Sequence, residues 1–455
     1  MKNGKRSSFS GKLGYVLAAA GASVGLGNIW RFPYLAAKYG GGIFLIIYIV
    51  LALTFGYTMI VAETAIGRMT RKSPVGAFKS FGKKKLLSFG GWINAVIPVL
   101  IVPYYSVIGG WVIKYLVEYF RGNAKLLAED GYFTDFISNG VSTELCFVAF
   151  CAFTLIIIFA GVQNGIERVS KIMMPILIVL SVIIAVYSVT RPGALAGVKY
   201  FLVPNVKNFS WMTVVSAMGQ MFYSLSIAMG ILITFGSYMK KDTAIEDSTR
   251  NVEVFDTGIA IMAGLMIIPA VFAFSGGDPD TLQAGPSLMF ITIPKVFQNM
   301  GFGTVIGIVF FLLVLFAAVT SSIALTESAV STFEDELGWG RKKATVLVGV
   351  IMLVLGSLSS LGYGPLAGIK IIGMQFLDLF DFLTNSVMMP IAALLTSLLV
   401  SRVVGIDKIE EEIIHGESAF RRKKVFVVMI KYLCPVFAII ILLSSVANAL
   451  GWIKM

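Results

Sequence analysis

The chain has 455 residues, of which 57% are hydrophobic and 14% are charged, and its mean hydropathy is +0.85. These values lie far outside the range of soluble domains. The formal net charge of +12 does not indicate nucleic-acid binding, because the basic residues cluster between apolar runs instead of covering one soluble face. The expected partner is therefore a lipid bilayer.

Cysteine and histidine are too sparse for most kinds of catalytic or metal chemistry. Cys146, Cys151 and Cys434 lie in or beside apolar runs, and the single histidine, His415, lies in a charged loop. Neither a disulfide scaffold nor a histidine metal centre is indicated. With no nucleophile elbow and no phosphate loop in the sequence, we expect no enzyme.

Eleven apolar runs are long enough to cross about 30 Å of hydrocarbon, which takes roughly 20 residues of helix. The predicted spans are 14–38, 43–68, 89–121, 143–161, 166–190, 211–238, 252–275, 303–333, 343–361, 371–401 and 425–450. Lys2, Lys5 and the apolar run from Leu13 to Ala22 resemble a signal peptide, but the apolar run continues to Trp30 with no cleavage boundary. An all-α integral membrane protein of eleven helices is predicted.

Most of the 37 lysines and arginines fall in alternate loops, beginning with the segment before span 1. This distribution predicts a cytoplasmic N-terminus and an extracytoplasmic C-terminus. The plasma membrane is the expected location. Residues 1–13 are then a cytoplasmic segment that can act as a gate. The loop from Asp278 to Gly301 is expected to form an external hairpin or short helices, and residues 403–424 a solvated internal connector.

Two spans contain small and polar residues halfway along their length. Span 1 carries Gly21, Gly25 and Gly27, and span 6 carries Ser226 and Gly230. In one helix alone, such residues more often mark close packing. Two interrupted spans in corresponding places predict an inverted repeat of residues 14–190 and 211–401, with a binding site at the breaks and an additional helix at 425–450.

The run GASVGLGNIWRFPY from Gly21 to Tyr34 resembles the first-helix signature of the neurotransmitter:sodium symporter family, in its bacterial amino-acid branch. The likeness continues over essentially the whole chain. It includes Gly40 to Gly42, Tyr104 with Tyr105, Gly219 with Gln220, Ser224 to Ser226, Thr320 to Ser322 and Asp378 to Phe382. The resemblance implies the leucine-transporter fold, a 5+5 repeat with discontinuous helices 1 and 6, and alternating access to a site halfway across the membrane.

The resemblance also implies two sodium sites. The first comprises Ser23, Asn28, Ser224 and Asp256 together with the carboxylate of the substrate, and the second comprises Gly21, Val24, Ala317, Thr320 and Ser321. Carbonyl oxygens of an unwound helix and short oxygen side chains suit a hard cation. Family members with Asn in place of Asp256 depend on chloride or on a nearby Glu, and the residue four positions on is Ala260 here. We therefore expect Asp256 to neutralise sodium directly and transport to be independent of chloride.

Gly25 indicates the substrate class, because amine-carrying relatives have an Asp at this position whereas an amino acid supplies its own carboxylate. The substrate site implied by the resemblance is Ala22, Ser23, Gly25, Leu26, Gly27, Ile101, Tyr105, Tyr223, Ser224, Ser226, Met229, Ser322 and Leu325. This lining is mainly apolar and includes the adaptable Met229, so a large aliphatic or aromatic L-amino acid is expected.

Charged residues at the two ends of the pathway are the expected gates. Arg31 and Asp381 are expected to pair on the outer side, and Arg6 with Asp335 on the inner side, where Phe9 helps to hold the N-terminal segment. Glu63 in span 2 is expected to brace the break in span 6. The sequence thus predicts a sodium-coupled symporter, and it leaves open a substrate-gated channel, a non-transporting sensor of the same fold, and the oligomeric state.

Overall fold

The computed structural model describes residues 6–82, 84–276 and 285–449. Lys2, Lys5, the start of the predicted external hairpin at Asp278 and the last residue of the predicted span 425–450 lie outside these ranges. Within them every regular element is helical, and the extended pairing is limited to two isolated bridges, Gly41 with Pro204 and Ile371 with Met374.

We number the main helices in chain order. They are α1 Lys12–Ser23, α2 Gly27–Lys38, α3 Gly42–Thr70, α4 Lys85–Phe120, α5 Gly140–Phe159, α6 Val162–Val189, α7 Trp211–Ser224, α8 Ile231–Ser237, α9 Ile245–Ser275, α10 Leu288–Gln298, α11 Gly303–Leu337, α12 Arg341–Leu361, α13 Phe376–Val404, α14 Ile406–Ile414 and α15 Lys423–Asn448. Short helices connect them at Pro74–Lys79, Ala124–Leu127, Tyr132–Ser138 and Ala194–Leu202.

Among the described residues, nine helices are long and apolar enough to cross a membrane, and the bent pair of α1 and α2 makes a tenth. The outer faces of α5 and α6 expose rows of large apolar side chains, such as Leu145, Ile156, Val179 and Val186. A monomeric protein in water rarely exposes such contiguous rows. The chain is therefore a multi-pass membrane protein.

The first break separates α1 from α2, whose axes differ in direction by 53°. Val24 leaves the helix with an extended backbone, φ −76° and ψ 93°, and α2 begins with a π-helical turn at Gly27–Arg31. A Cβ atom added at Gly27 would lie 2.3 Å from the ring of Tyr223. Glycine at this position thus lets the aromatic ring approach the broken backbone.

The second break separates α7 from α8. Helix α7 begins with a capping box, in which Ser210 Oγ accepts from the N–H of Thr213 and Thr213 Oγ1 accepts from the N–H of Ser210, both at 3.1 Å. After Ser224 the backbone leaves the helix, and the left-handed φ values are 51° at Ser226, 58° at Ala228 and 69° at Gly230. Such angles are costly for residues other than glycine, so the surrounding contacts must hold them in place.

The two broken helices lie at the centre of the molecule, where α8 packs along α3 and α11 packs along α4. The contact of α3 with α8 depends on Gly67, because a Cβ atom there would lie 2.0 Å from the carbonyl oxygen of Ile233. By contrast, a Cβ atom at Gly258 in α9 would meet no atom within 4 Å.

We expect Gly67→Ala to lower the melting temperature of the purified protein, because overpacking of a tight interface typically costs about 1–3 kcal/mol. The matched control, Gly258→Ala, should leave it unchanged or raise it, since alanine in a helix is favoured over glycine by about 0.5–1 kcal/mol. An equal response of the two variants would contradict the close packing of α3 against α8.

Candidate functional site

A small cavity lies between the two breaks, with a volume of about 350 Å³ including the space at its mouth. Its lining residues are Ala22, Ser23, Gly25, Leu26, Gly27, Asn28, Ile101, Tyr105, Tyr223, Ser226, Met229, Ser321 and Leu325. Eleven of these thirteen residues belong to the substrate site that the sequence predicts. The remaining two, Asn28 and Ser321, are predicted sodium ligands.

Two predicted substrate residues do not line this cavity. Ser224 faces Asp256 instead, and Ser322 points toward α5, where its hydroxyl lies 3.2 Å from Thr154 Oγ1. The expectation for Ser322 is wrong because Ser321 and Leu325, which are four residues apart, share the cavity face of α11, and the next residue along the chain points about 100° away around the helix.

The broken end of span 1 offers polar groups to the cavity. The N–H of Leu26 donates to the hydroxyl of Tyr105 at 3.3 Å, and the N–H of Gly25 donates to Asn28 Oδ1 at 3.1 Å. Ser226 Oγ donates to the carbonyl oxygen of Ala22 at 2.9 Å and so links the two breaks. One wall of an otherwise apolar cavity is therefore made of backbone amides, carbonyls and hydroxyls.

A buried carboxylate, Asp256 of α9, adjoins this wall. Its Oδ1 accepts from Asn28 Nδ2 at 2.8 Å and from Ser224 Oγ at 2.9 Å, and its Oδ2 accepts from the hydroxyl of Tyr48 at 2.9 Å. Among the described residues, all of its hydrogen-bond partners are neutral. Sequence reasoning missed Tyr48, although a lone tyrosine within the apolar run Ile43–Leu51 is a signal for a buried polar contact.

A second group of oxygen atoms surrounds Ser321 of α11. Its hydroxyl lies 3.3 Å from the carbonyl oxygen of Gly21, 3.1 Å from that of Ala22 and 3.4 Å from that of Val24. On the same helix, Thr320 Oγ1 donates to the carbonyl oxygens of Phe316 at 3.0 Å and Ala317 at 3.2 Å, and a Cβ atom added at Gly21 would lie 3.1 Å from Thr320 Cβ. The structure thus brings together all five residues that the sequence assigns to the second sodium site.

The N-terminal segment closes the end of the pathway that the sequence predicts to be the inner one. Arg6 donates to Asp335 Oδ1 at 2.5 Å and to Ser331 Oγ at 2.8 Å. Phe9, with 1% of its surface exposed, packs edge-on against Phe235 and Tyr238. The two predicted inner gate residues Arg6 and Asp335 therefore lie in direct contact.

At the opposite end of the pathway, the described residues line a second, larger cavity. Arg31 and Asp381 both line this cavity of about 1640 Å³, measured in the same way, and they form no ion pair within the described ranges. The guanidinium of Arg31 lies 5.3 Å from the ring centre of Tyr223, while Asp381 accepts from the hydroxyl of Tyr104 at 3.1 Å. The expected pairing is therefore absent, because each charge has a different partner on its own side of the cavity.

Tyr223 lies between the outer cavity and the central one, since among the described residues it is the one that lines both. Its ring lies beside Gly27, directly above the break in span 1.

The sequence model of the sodium:neurotransmitter symporter family matches residues 6–127 and 134–452. The chain belongs to this family.

Its relatives include bacterial and animal transporters. The sodium-dependent transporter YhdH of Bacillus subtilis is 34% identical over 450 residues, which covers 98% of this chain and 99% of the relative. The human sodium- and chloride-dependent GABA transporter 2 is 26% identical, over 90% of this chain and 75% of that protein. The crystal structure of MhsT in complex with L-phenylalanine superimposes with a TM-score of 0.86 at 34% identity, and covers 97% of this chain and 100% of MhsT.

Membership of the sodium:neurotransmitter symporter family makes the chain a sodium-dependent membrane transporter and not an enzyme. The resemblance based on the Gly21–Tyr34 signature is confirmed, and the fold is that of MhsT.

Glu63 holds the break between α7 and α8 in place. Its Oε1 accepts from the N–H of Ala228 at 2.7 Å, and Ala228 itself has a left-handed φ of 58°. We expect Glu63→Ala to lower the melting temperature, because an unpaired buried N–H costs about 1–3 kcal/mol. Glu63→Gln retains an acceptor oxygen and should remain near the unmodified protein. If both variants melt alike, this hydrogen bond does not hold the break.

Proposed function

We propose that the protein is a sodium-coupled symporter that imports a large hydrophobic L-amino acid across the plasma membrane by alternating access, with two sodium ions bound at the breaks. The observation that carries the proposal is the position of Asp256. It is a buried carboxylate with neutral partners, next to a cavity lined by broken backbone. Such a carboxylate is costly inside a membrane unless a cation binds there.

At the first sodium site the ion would bind to the Asp256 carboxylate, Asn28 Oδ1, Ser224 Oγ and the carbonyl oxygen of Ser23. The amide of Asn28, which now directs Nδ2 toward Asp256, would rotate to direct its oxygen to the cation. The carboxylate of the substrate would complete the site, so that ion and substrate stabilise each other. At the second site the carbonyl oxygens of Gly21, Val24 and Ala317 and the hydroxyls of Thr320 and Ser321 would surround the other ion.

The substrate would bind with its carboxylate beside the N–H of Leu26 and the hydroxyl of Tyr105, at the start of α2. Its ammonium would face the carbonyl ends of α1 and α7, in keeping with the dipoles of these half-helices. Support for a hydrophobic side chain comes from Ile101, Met229 and Leu325, which line the remaining wall. The similar MhsT was crystallised with L-phenylalanine.

Transport would proceed from the arrangement described, in which the inner gate is closed and Tyr223 lies between the central and outer cavities. The ring of Tyr223 would move aside to admit the substrate and then cover it, and Arg31 and Asp381 would approach each other above it. Release to the cytoplasm would then require that Arg6 leave Asp335 and that Phe9 leave its aromatic neighbours. Counting α7 with α8 as one span gives the eleven spans expected of a 5+5 repeat and one additional helix, with the N-terminus in the cytoplasm and the C-terminus outside.

The proposal is tested by measuring the accumulation of labelled amino acids in proteoliposomes that contain the protein. With an inward sodium gradient, labelled L-phenylalanine or L-leucine should accumulate above its external concentration, and a panel of the twenty amino acids should show competition by the large hydrophobic ones. Replacing sodium with potassium should abolish uptake. Binding without accumulation would indicate a sensor, and flux that never exceeds equilibrium would indicate a channel.

Chloride should not be required. Because Asp256 supplies the negative charge beside the first sodium ion, we expect sodium-driven uptake to be unchanged when gluconate replaces chloride. In Asp256→Asn this charge is lost, and the remaining uptake should become stimulated by chloride. A large loss of uptake by the unmodified protein in gluconate would refute the role of Asp256.

Ser321→Ala should weaken the sodium dependence of uptake, because it removes one ligand of the second site. We expect the half-saturating sodium concentration to rise about tenfold, which corresponds to about 1.4 kcal/mol. The neighbouring Ser322→Ala is the matched control, since that hydroxyl faces Thr154, and its sodium dependence should be unchanged. An unaltered sodium affinity in Ser321→Ala would count against the ligand assignment.

A further inference from the structure

The connection between α13 and α15 is not the solvated connector that its charge pattern suggests. It contains helix α14, whose Ile409 and Ile413 are fully buried, and it begins at Gly405, where φ is +89°. We call residues 405–422 the strap. Two sets of contacts attach it to the cytoplasmic ends of α3, α8 and α9.

The first attachment is a buried ion pair between Arg68 at the end of α3 and Glu412 of the strap. Their side chains are 0% and 6% exposed, and Arg68 Nε lies 2.7 Å from Glu412 Oε1. Arg68 also donates to the carbonyl oxygens of Glu412 and Thr243. Lys241 binds the other carboxylate oxygen of Glu412 at 2.6 Å, so both oxygens are used.

The second attachment is built around Glu246 at the start of α9. Its carboxylate accepts from the backbone N–H groups of Arg421 and Arg422 at 2.7 and 2.9 Å and from the hydroxyl of Tyr57 at 2.9 Å. The guanidinium of Arg422 lies 3.3 Å from Glu253. The far end of the strap is thereby attached to α3 and α9 as well.

Residues 238–243, which connect α8 to α9, lie between the strap and the inner gate. On one side, Lys241 and Thr243 bind Glu412 and Arg68. On the other side, the carbonyl oxygen of Tyr238 accepts from the N–H of Phe9 at 3.0 Å, and Lys240 donates to the carbonyl oxygen of Ser10 at 2.7 Å. The strap thus contacts this connection at Lys241, and the N-terminal segment contacts it at Tyr238 and Lys240.

We propose that the strap is a coupling element that holds residues 238–243 in the position that closes the inner gate, and that the Arg68–Glu412 pair is its principal attachment. The strap begins directly after α13, and α13 carries Asp381, which lines the outer cavity. One continuous stretch of chain therefore joins the inner gate to the helix that bears an outer gate residue. The inference rests on the proposed alternating access and adds a positioning role for residues that bind neither substrate nor ion.

Removing one partner of a buried ion pair leaves the other charge without compensation, which is strongly unfavourable. When Glu412 becomes Gln, Arg68 and Lys241 lose their carboxylate, so residues 238–243 lose their ion pair to the strap and keep the hydrogen bond from Arg68 to the carbonyl oxygen of Thr243. Because the N-terminal segment docks on that segment, the equilibrium between closed and open inner gates shifts toward the open form.

The test is the reactivity of a reporter cysteine placed behind the inner gate, on its membrane-centre side. Ser328 of α11 is fully buried, and its hydroxyl lies 3.3 Å from Thr234 Oγ1, one helical turn deeper than Ser331. Ser328→Cys is introduced after Cys146, Cys151 and Cys434 have been changed to alanine. A thiol reagent is then applied to the cytoplasmic face of inside-out vesicles in sodium and in potassium.

In sodium, the reporter should react about tenfold faster in Glu412→Gln than in the reference, a factor that corresponds to about 1.4 kcal/mol. Glu410→Gln is the matched control, because Glu410 lies on the same helix and pairs with Lys423 at the surface, and it should react like the reference. Equal rates in Glu412→Gln and Glu410→Gln would overturn the proposal.

A milder variant decides the matter if Glu412→Gln fails to fold. Lys241→Met removes the ion pair between Lys241 and Glu412. Because the Lys241 side chain is 52% exposed, this variant should increase the reaction rate of the reporter less than Glu412→Gln does. A reaction rate in Lys241→Met equal to that of the reference would then overturn the proposed role of the strap. A reference protein whose reporter reacts equally in sodium and potassium would instead count against the proposed transport cycle.

Discussion

The whole arrangement depends on two helices that lose their hydrogen-bond ladder inside a membrane, where no lipid can satisfy the freed backbone groups. The break after Ser23 and the break after Ser224 must therefore face each other, or face polar side chains. Glu63, Ser226, Tyr105 and Ser321 supply these contacts. The groups that satisfy the broken backbone also make a polar wall, and so the structural requirement and the candidate binding site coincide.

Charged residues lie at three positions along the pathway. At its centre, Asp256 has neutral partners among the described residues, which is the arrangement that a cation would stabilise. At the inner end, Arg6 and Asp335 form a direct ion pair. At the outer end, Arg31 and Asp381 face one large cavity without forming such a pair. An ion pair thus closes the inner end, and one aromatic ring, that of Tyr223, lies between the central cavity and the outer one.

Much of this could be predicted from the sequence, since the apolar runs fix the helices and the glycines at 21, 25 and 27 mark the first break. What the sequence did not reveal depends on side-chain direction and on charge pairing over long separations. The family resemblance places Ser322 in the substrate site, but a helix turns about 100° per residue, and the hydroxyl of Ser322 lies beside Thr154 instead. The strap was read as solvated because its charges are dense, and only the folded chain brings Glu412 to Arg68.

The most direct test of the central claim is an experimental structure of the protein determined in sodium with a bound hydrophobic amino acid. The account predicts that α1 and α7 end near Val24 and Leu225, that the carboxylate of the ligand lies beside Leu26 and Tyr105, and that a cation lies between this carboxylate and Asp256. Continuous helices through both positions, or a ligand and cation bound elsewhere, would contradict it.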